Sequence, residues 1–109
     1  MELNDCESFV KDAAERFRRF ALDHGYTFDS TPKKHFWIRY PGKTEVLQGN
    51  YATSWIRGLM HDLKPDELRR LGMVVPYGSH PCGRPGHQFR IATAEDIEVV
   101  KAIIVARCG

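Results

Sequence analysis

Residues 78–90 read GSHPCGRPGHQFR and combine two histidines, one cysteine and two arginines with no acidic residue. His80, Cys82 and His87 are all residue types that bind zinc. A structural zinc site needs four ligands, usually as two closely spaced pairs, and this stretch supplies three at another spacing. Another histidine would have to complete the site. The pattern favours surface histidines and a free thiol, so we predict no metal and no cofactor.

Cys82 is also a candidate nucleophile, because His80 or His87 could act as its base. A loop rich in glycine and proline does not hold such groups rigidly. The chain contains no G-x-S-x-G, no H-E-x-x-H, no phosphate-cradling glycine loop and no dinucleotide fingerprint. The sequence therefore does not indicate an enzyme of a common class.

A third interpretation makes the same stretch the tip of a basic hairpin. Arg84 in GRPG has the planar guanidinium that suits a minor groove or a row of phosphates. A winged-helix domain would supply such a hairpin as its wing, over residues 73–92, after helices in residues 51–71. The expected recognition helix, PDELRRL, is short and starts with acidic residues, which counts against this arrangement.

Charge is distributed unevenly along the chain. Residues 30–44 and 68–94 hold eight of the 16 basic residues and none of the 14 acidic ones, which leaves eight against 14, a net −6, elsewhere. Such segregation gives a nearly neutral protein a basic surface, as in many nucleic-acid-binding proteins. The predicted nucleic-acid-binding residues are the basic residues of these two acid-free windows: Lys33, Lys34, Arg39, Lys43, Arg69, Arg70, Arg84 and Arg90.

The elements that position these residues follow from hydrophobic spacing. Apolar residues at helical intervals from Val10 to Ala21 predict a first helix. Asn4 and Glu7 have the spacing of a capping box, and Gly25 stands where a glycine would end the helix.

Strand-forming residues dominate the next segment. HFWIRY and TEVLQ predict two strands, joined through PGK as a tight turn, and GYTFDS predicts a short strand before them. Phe36 and Ile38 share one face of the HFWIRY strand, whereas Trp37 and Arg39 share the other.

The middle of the chain has a helical pattern. Residues 51–63 place apolar residues at i, i+3, i+4 and i+7, which are Ile56, Leu59, Met60 and Leu63. We therefore predict an amphipathic helix here, weakened by Gly58 at a cost of about 1 kcal/mol relative to alanine.

The remainder predicts a short helix, two strands and a last helix. KPDELRRLG starts a helix at Pro65 and stops it at Gly72. MVVPY and HQFRIA are the predicted strands. Thr93 and Asp96 form a capping box for a helix over residues 94–107, although its many β-branched residues leave a strand open.

These elements give the order α-β-β-β-α-α-β-β-α, an α+β fold with antiparallel strands and helices packed on one side. At 109 residues we expect one domain, residues 1–109. No apolar run is long enough for a membrane span, the first residues lack the features of a signal peptide, and three cysteines suggest reduced thiols. We therefore expect a cytoplasmic protein with no membrane partner.

Residues 7–63 also carry a family resemblance. FALDHGYTFDSTPKKHFWIRYPGKTEVLQGN has a helix that ends at a Gly-aromatic pair, a strand, a turn with a histidine before the second strand, and a third strand. With ATSWIRGLMHDL as a closing helix, this order resembles the small double-stranded-RNA-binding-domain-like proteins of the HicA toxin type. Lys-Lys replaces the Gly-Ser that the family usually has before the histidine.

The resemblance implies a metal-independent ribonuclease that acts on messenger RNA. His35 stands at the position of the family's histidine and would act in general acid–base cleavage of the RNA backbone. Lys33, Lys34 and Arg39 would contact phosphate.

Two functions stay open at this point. One is a small nucleic-acid-binding protein, regulatory or toxin-like, that uses the two acid-free windows on DNA or RNA. The other is a phage or mobile-element interaction or inhibitor protein that binds a host protein without catalytic activity. Trp37 and Trp55, if exposed, would suit such an interface, because tryptophan is a favoured anchor there.

Overall fold

The computed structural model describes residues 2–31, 33–41, 45–71, 74–77 and 86–108. After a 3₁₀ turn at Leu3–Asp5, these residues form three helices and six strands. In chain order the elements are α1 (Ser8–Asp23), β1 (Thr27–Thr31), β2 (His35–Arg39), β3 (Glu45–Tyr51), β4 (Ile56–His61), α2 (Pro65–Arg70), β5 (Val74–Tyr77), β6 (Gly86–Ile91) and α3 (Ala94–Cys108).

The six strands form one sheet in the order β1-β2-β3-β4-β6-β5, and every neighbouring pair is antiparallel. The buried residues of α1 and α3 belong to the same core cluster as alternate residues of β2, β4 and β6, so both helices pack on one face of the sheet. The predicted α+β class, with antiparallel strands and helices on one side, is confirmed.

Of the two signals predicted for the ends of α1, the structure confirms one. Gly25 has φ +73°, and the Gly25 and Tyr26 N–H groups donate to the carbonyls of Leu22 and Ala21, so the predicted glycine stop of α1 is confirmed. The predicted capping box at the other end is wrong. Asn4 lies in the 3₁₀ turn, and the N-cap of α1 makes no side-chain cap hydrogen bond.

The helix predicted over residues 51–63 is also wrong, because this segment holds the end of β3, a turn and β4. β4 lies between β3 and β6, and all of its residues except Arg57 are buried. A strand covered on both faces loses the alternation that identifies half-buried strands, so its apolar residues matched a helical spacing by coincidence. Residues 51–71 therefore contain one short helix, and neither the closing helix of the family resemblance nor the helices of a winged-helix domain.

A row of four residues crosses the helix-facing side of the sheet. Phe36 is paired with Gly49, Gly49 with Gly58, and Gly58 with Phe89. A Cβ atom at Gly49 would collide with the Phe36 ring, and one at Gly58 would collide with the Phe89 ring. The two glycines therefore give the two phenyl rings space over the central strands.

The C-terminal helix has the predicted cap. The Thr93 hydroxyl accepts from the Asp96 N–H at 3.1 Å, and the Asp96 carboxylate accepts from the Thr93 N–H at 3.1 Å. α3 is a helix rather than the strand that its β-branched residues left open. At its far end the Arg107 guanidinium donates to the carbonyls of His61 and Asp62 at 2.7 and 2.8 Å, which ties α3 to the segment after β4.

The predicted short helix at Pro65 and the strand pair β5–β6 are confirmed. The predicted PGK turn, the stop at Gly72 and the connection between β5 and β6 fall partly or wholly outside the described residues. Within the described ranges, no helix is long and apolar enough to cross a membrane.

The Gly58–Phe89 contact makes a first prediction. Gly58→Ala should lower the free energy of unfolding by roughly 1–3 kcal/mol, because the new methyl group overpacks against the Phe89 ring. Urea denaturation measures the change. In the double variant with Phe89→Leu, the two costs should be less than additive.

Gly25→Ala serves as the control, because no atom lies within 4 Å of a Cβ there and its cost, about 1–2 kcal/mol, comes from the left-handed backbone alone. That cost should add to the cost of Phe89→Leu. Strict additivity for Gly58→Ala with Phe89→Leu would contradict the steric account of the row.

Candidate nucleic-acid interface

The sheet face opposite α1 and α3, which we call the open face, is built by strand alternation. Phe36 and Ile38 are fully buried toward the helices, so the neighbouring residues of β2 point the other way. The paired register then assigns the corresponding residues of the other strands to the same face. The open-face residues of β1, β2, β3, β4 and β6 include Asp29, His35, Trp37, Arg39, Gln48, Asn50, Arg57, Leu59, Gln88 and Arg90.

One row of the open face runs straight across four strands. His35 pairs with Asn50, Asn50 with Arg57, and Arg57 with Arg90. Neighbouring strands lie roughly 4.8 Å apart, so the row spans about 14 Å. Arg57 and Arg90 are exposed, whereas His35 and Asn50 are half-buried. The row therefore places two arginines beside the amide of Asn50 and the imidazole of His35.

Trp55 lies in the turn before β4 and holds the two arginines of this row. The Arg90 guanidinium carbon is 4.4 Å from the centroid of the Trp55 ring, and that of Arg57 is 5.8 Å away. These distances are in the range of cation–π contacts, which attract the guanidinium without neutralising its charge. The indole therefore gathers two positive charges at one end of the open face.

Trp37 has a similar role in the next row. Its ring meets His35 edge-on, with centroids 4.2 Å apart, and the Arg39 guanidinium lies 5.8 Å from its centroid. Arg39 also forms an ion pair with Asp29 at 3.7 Å, between side chains that are close to half exposed, which is a weak interaction in water. Among the open-face strand residues with described side chains, Asp29 is the only acid.

A depression of about 460 Å³ opens at the β2–β3–β4 end of the face. Lys34, His35, Asn50 and Arg57 line it, together with Gln48. The Gln48 side-chain NH₂ donates to the Asn50 carbonyl oxygen at 3.1 Å. The depression thus combines two permanent cations, a histidine and an amide pair, and its volume lies in the range of small-ligand pockets.

Tyr51 borders the depression from the other side of the sheet. It follows Asn50 in β3, pairs with Ile56 and contacts the Phe36 ring, so its own ring belongs to the helix-facing core. Burial raises the pKa of the Tyr51 phenol to about 12, and the nearby Cys6 thiol adds to the shift.

The structure brings together only part of the predicted basic surface. Arg39 and Arg90 lie on the open face, and the exposed Lys33 and Lys34 lie in the turn that leads into β2. The predicted histidine His35 lies among them. Two further predicted residues, Lys43 and Arg84, fall outside the described residues.

Arg69 and Arg70 lie apart from the strands of the open face. They belong to α2, which Arg107 ties to α3 through an ion pair with Glu67 at 3.2 Å. Arg69 also forms an ion pair with Asp66 on its own helix. The fold therefore separates Arg69 and Arg70 from the basic residues of the open face, although all of the predicted residues come from acid-free windows of the sequence.

Three residues of the site were missed at the level of sequence, namely Gln48, Asn50 and Arg57. Gln48 and Asn50 alternate in β3, so a strand continued through TEVLQGNY would have placed them on one face. Arg57 lies between the two acid-free windows and in a segment taken as a helix. Its neighbour Ile56 favours a strand, and its other neighbour Gly58 disfavours a helix. These two preferences could have indicated the strand that places Arg57 on the open face.

Of the three potential zinc ligands in residues 78–90, only His87 lies among the described residues. His87 lies in β6 on the helix-facing side, in register with Met60, and its Nδ1 atom is buried without a hydrogen-bond partner. His80 and Cys82 lie outside the described residues. Within the described part of the chain, no three potential ligands of the His, Cys, Asp or Glu type cluster around a common point.

A larger cavity of about 690 Å³ lies elsewhere, between α1 and α3. Its lining mixes Arg19 and Lys101 with Asp23 and Glu98 around apolar residues such as Phe20. None of the predicted site residues lies there. Because both basic and acidic side chains line this cavity, it does not favour a negatively charged ligand. The smaller depression on the open face is therefore the better candidate site.

Comparison with protein-family models, with curated proteins and with solved structures finds no match for this chain. The functional argument therefore rests on the geometry of the open face.

The buried phenol of Tyr51 makes a prediction about alkaline pH. Unfolded tyrosine has a pKa near 10, whereas that of Tyr51 is about 12 in the fold, so the native state holds this proton longer. The contribution of protonated Tyr51 to the free energy of unfolding is fully present below about pH 10 and is lost as the pH rises toward 12. The tyrosinate absorbance difference between wild type and Tyr51→Phe should titrate near pH 12.

In urea, the same difference should titrate near pH 10, which provides the unfolded reference. Circular dichroism during the native titration checks that the fold persists. A native difference curve with a midpoint near 10 would show that the phenol is accessible to water.

Proposed function

We propose that this protein binds nucleic acid through the open face of its sheet. The observation that carries the proposal is the row of His35, Asn50, Arg57 and Arg90, with Trp55 beneath the two arginines. It offers positive charge, hydrogen-bonding groups and aromatic surface on a face without a packed long helix. These are the components that nucleic-acid-binding surfaces combine.

Charge supports a polyanion as the ligand. Lys34, Arg39, Arg57 and Arg90 lie on or beside the open face, where Asp29 is the only acid among the strand residues whose side chains are described. Arginine is suited to phosphate because its planar fork donates two parallel hydrogen bonds. A site of this kind gains affinity chiefly from displaced counterions and is therefore sensitive to salt.

Cleavage of RNA by His35 is a second candidate for the same face. His35 shares the depression with Lys34 and Arg57, so a phosphate bound there would lie near a residue type that serves as general acid or base. This interpretation retains the ribonuclease activity that the HicA-type resemblance implies, without its closing helix. Loss of growth arrest in His35→Ala would support it, whereas unchanged arrest on expression would remove it.

A protein partner is the alternative function, for example a host protein inhibited by a phage or mobile-element product. The half-buried Trp37 and Trp55 would then be interface anchors. The open face argues for nucleic acid over this alternative, because its described charges are mostly positive while most protein interfaces lack charge at their centre. We place the protein in the cytoplasm as part of the same proposal.

The row of arginines predicts a specific salt dependence. In Arg57→Gln with Arg90→Gln, affinity for an oligonucleotide at low salt should fall roughly 10- to 100-fold, because two charge-assisted contacts are lost. The slope of log K against log salt should become shallower by about 1.4–1.8. Fluorescence anisotropy with labelled oligonucleotides over a salt series measures both quantities.

The matched control removes the same charge elsewhere. Arg69→Gln with Arg70→Gln alters α2 and should leave the slope within experimental error of wild type. An equal loss in this control would show that the open face is not the contact surface. Absence of oligonucleotide binding by the wild type at low salt would overturn the proposed function itself.

A further inference from the structure

The depression at the β2–β3–β4 end of the open face has features that phosphate binding does not require. A basic row needs only exposed cations, yet the depression also contains the amide pair of Gln48 and Asn50. Both amides are half-buried on β3, a strand with neighbours on both sides. Neutral hydrogen-bonding groups held on a rigid strand are suited to reading the edge of a base rather than to contacting a phosphate.

The amide pair has a definite hydrogen-bonding pattern. Gln48 donates from its NH₂ group to the Asn50 carbonyl oxygen, which uses one donor and one acceptor. The Gln48 carbonyl oxygen then remains as an acceptor beside the Asn50 NH₂ group as a donor. A neighbouring acceptor and donor match the edge of a nucleobase, which presents the same two functions side by side.

The walls of the depression complete a nucleotide site. Lys34 and Arg57 flank the amide pair and supply positive charge for the phosphates on either side of a bound base. The His35 ring, which lines the depression, is packed against Trp37 with the two ring planes nearly perpendicular.

We propose that this depression takes one unpaired base, so that the open face binds single-stranded nucleic acid in preference to duplex. The inference rests on the proposed function and adds the class of ligand. In a duplex the edges of a base are paired and its faces are stacked, so a base enters such a site only from a single strand or after it leaves the stack. The Trp55–Arg57–Arg90 cluster then binds the neighbouring phosphates.

The test compares labelled single-stranded RNA and single-stranded DNA with the corresponding duplexes, by anisotropy with the full chain at low salt. We expect at least one of the single strands to bind about tenfold or more tightly than its duplex. Comparison of the two single strands identifies the sugar. Asn50→Ala should weaken single-strand binding roughly three- to tenfold, since one or two neutral hydrogen bonds are lost, and should change duplex binding less than twofold.

Gln88→Ala is the matched control. Gln88 is a half-buried amide on the same face, in the row that contains Trp37 and Leu59, and it does not line the depression. Its removal should leave single-strand affinity within twofold of wild type. Circular dichroism and urea denaturation of each variant confirm that the fold is retained.

Recognition of the base can be tested separately from the preference for single strands. Four homopolymeric single strands should bind the wild type with unequal affinity, and the differences should shrink in Asn50→Ala, which a purely structural role for Asn50 would not produce. Equal affinities for all four homopolymers would overturn the base pocket.

The outcomes separate the two proposals. Equal binding of single strands and duplex, with both weakened by the Arg57 and Arg90 substitutions, would overturn the single-strand inference and retain nucleic-acid binding. Equal losses on Asn50→Ala and Gln88→Ala would also overturn the inference, because the depression would then have no special role. Binding of none of the four probes would overturn both.

Discussion

The structure depends on the space that two glycines leave for two phenyl rings. Gly49 and Gly58 lie between Phe36 and Phe89 across the central strands, and a side chain at either glycine would collide with a ring. A slip of one residue in any of these strands would turn its side chains over to the other face. The packing that fills the core therefore also decides which residues reach the open face, and it aligns Asn50 and Arg57 there.

Elements with strong local signals could be predicted from the sequence. The ends of α1 and α3 depend on a left-handed glycine and on a capping box, both of which act within a few residues. The alternation of Phe36 and Ile38 with Trp37 and Arg39 likewise needed only the strand period. These features identified Trp37 and Arg39, two of the three open-face residues of β2, without knowledge of any neighbouring strand.

The remainder depended on tertiary structure. β4 is buried at every position except Arg57, including Leu59 and His61 on the open face, and no local pattern in residues 51–63 contains that information. The row of His35, Asn50, Arg57 and Arg90 exists only after four strands pair in one register. The acid-free windows identified Arg90 and the family resemblance identified His35, but Arg57 lies outside both windows and joins the row through strand pairing.

The contacts of each arginine matter more than their number. Arg18 and Arg19 on α1 hydrogen-bond to Glu15 and lower the pKa of that carboxyl to about 2, so one of these two positive charges is balanced on the protein itself. The contacts described for Arg57 and Arg90 are instead with the Trp55 ring, which holds a guanidinium in place and leaves its charge intact. A nearly neutral protein can therefore keep positive charge on one face of its sheet, because carboxylates pair with arginines on α1 while an indole positions Arg57 and Arg90 on the open face.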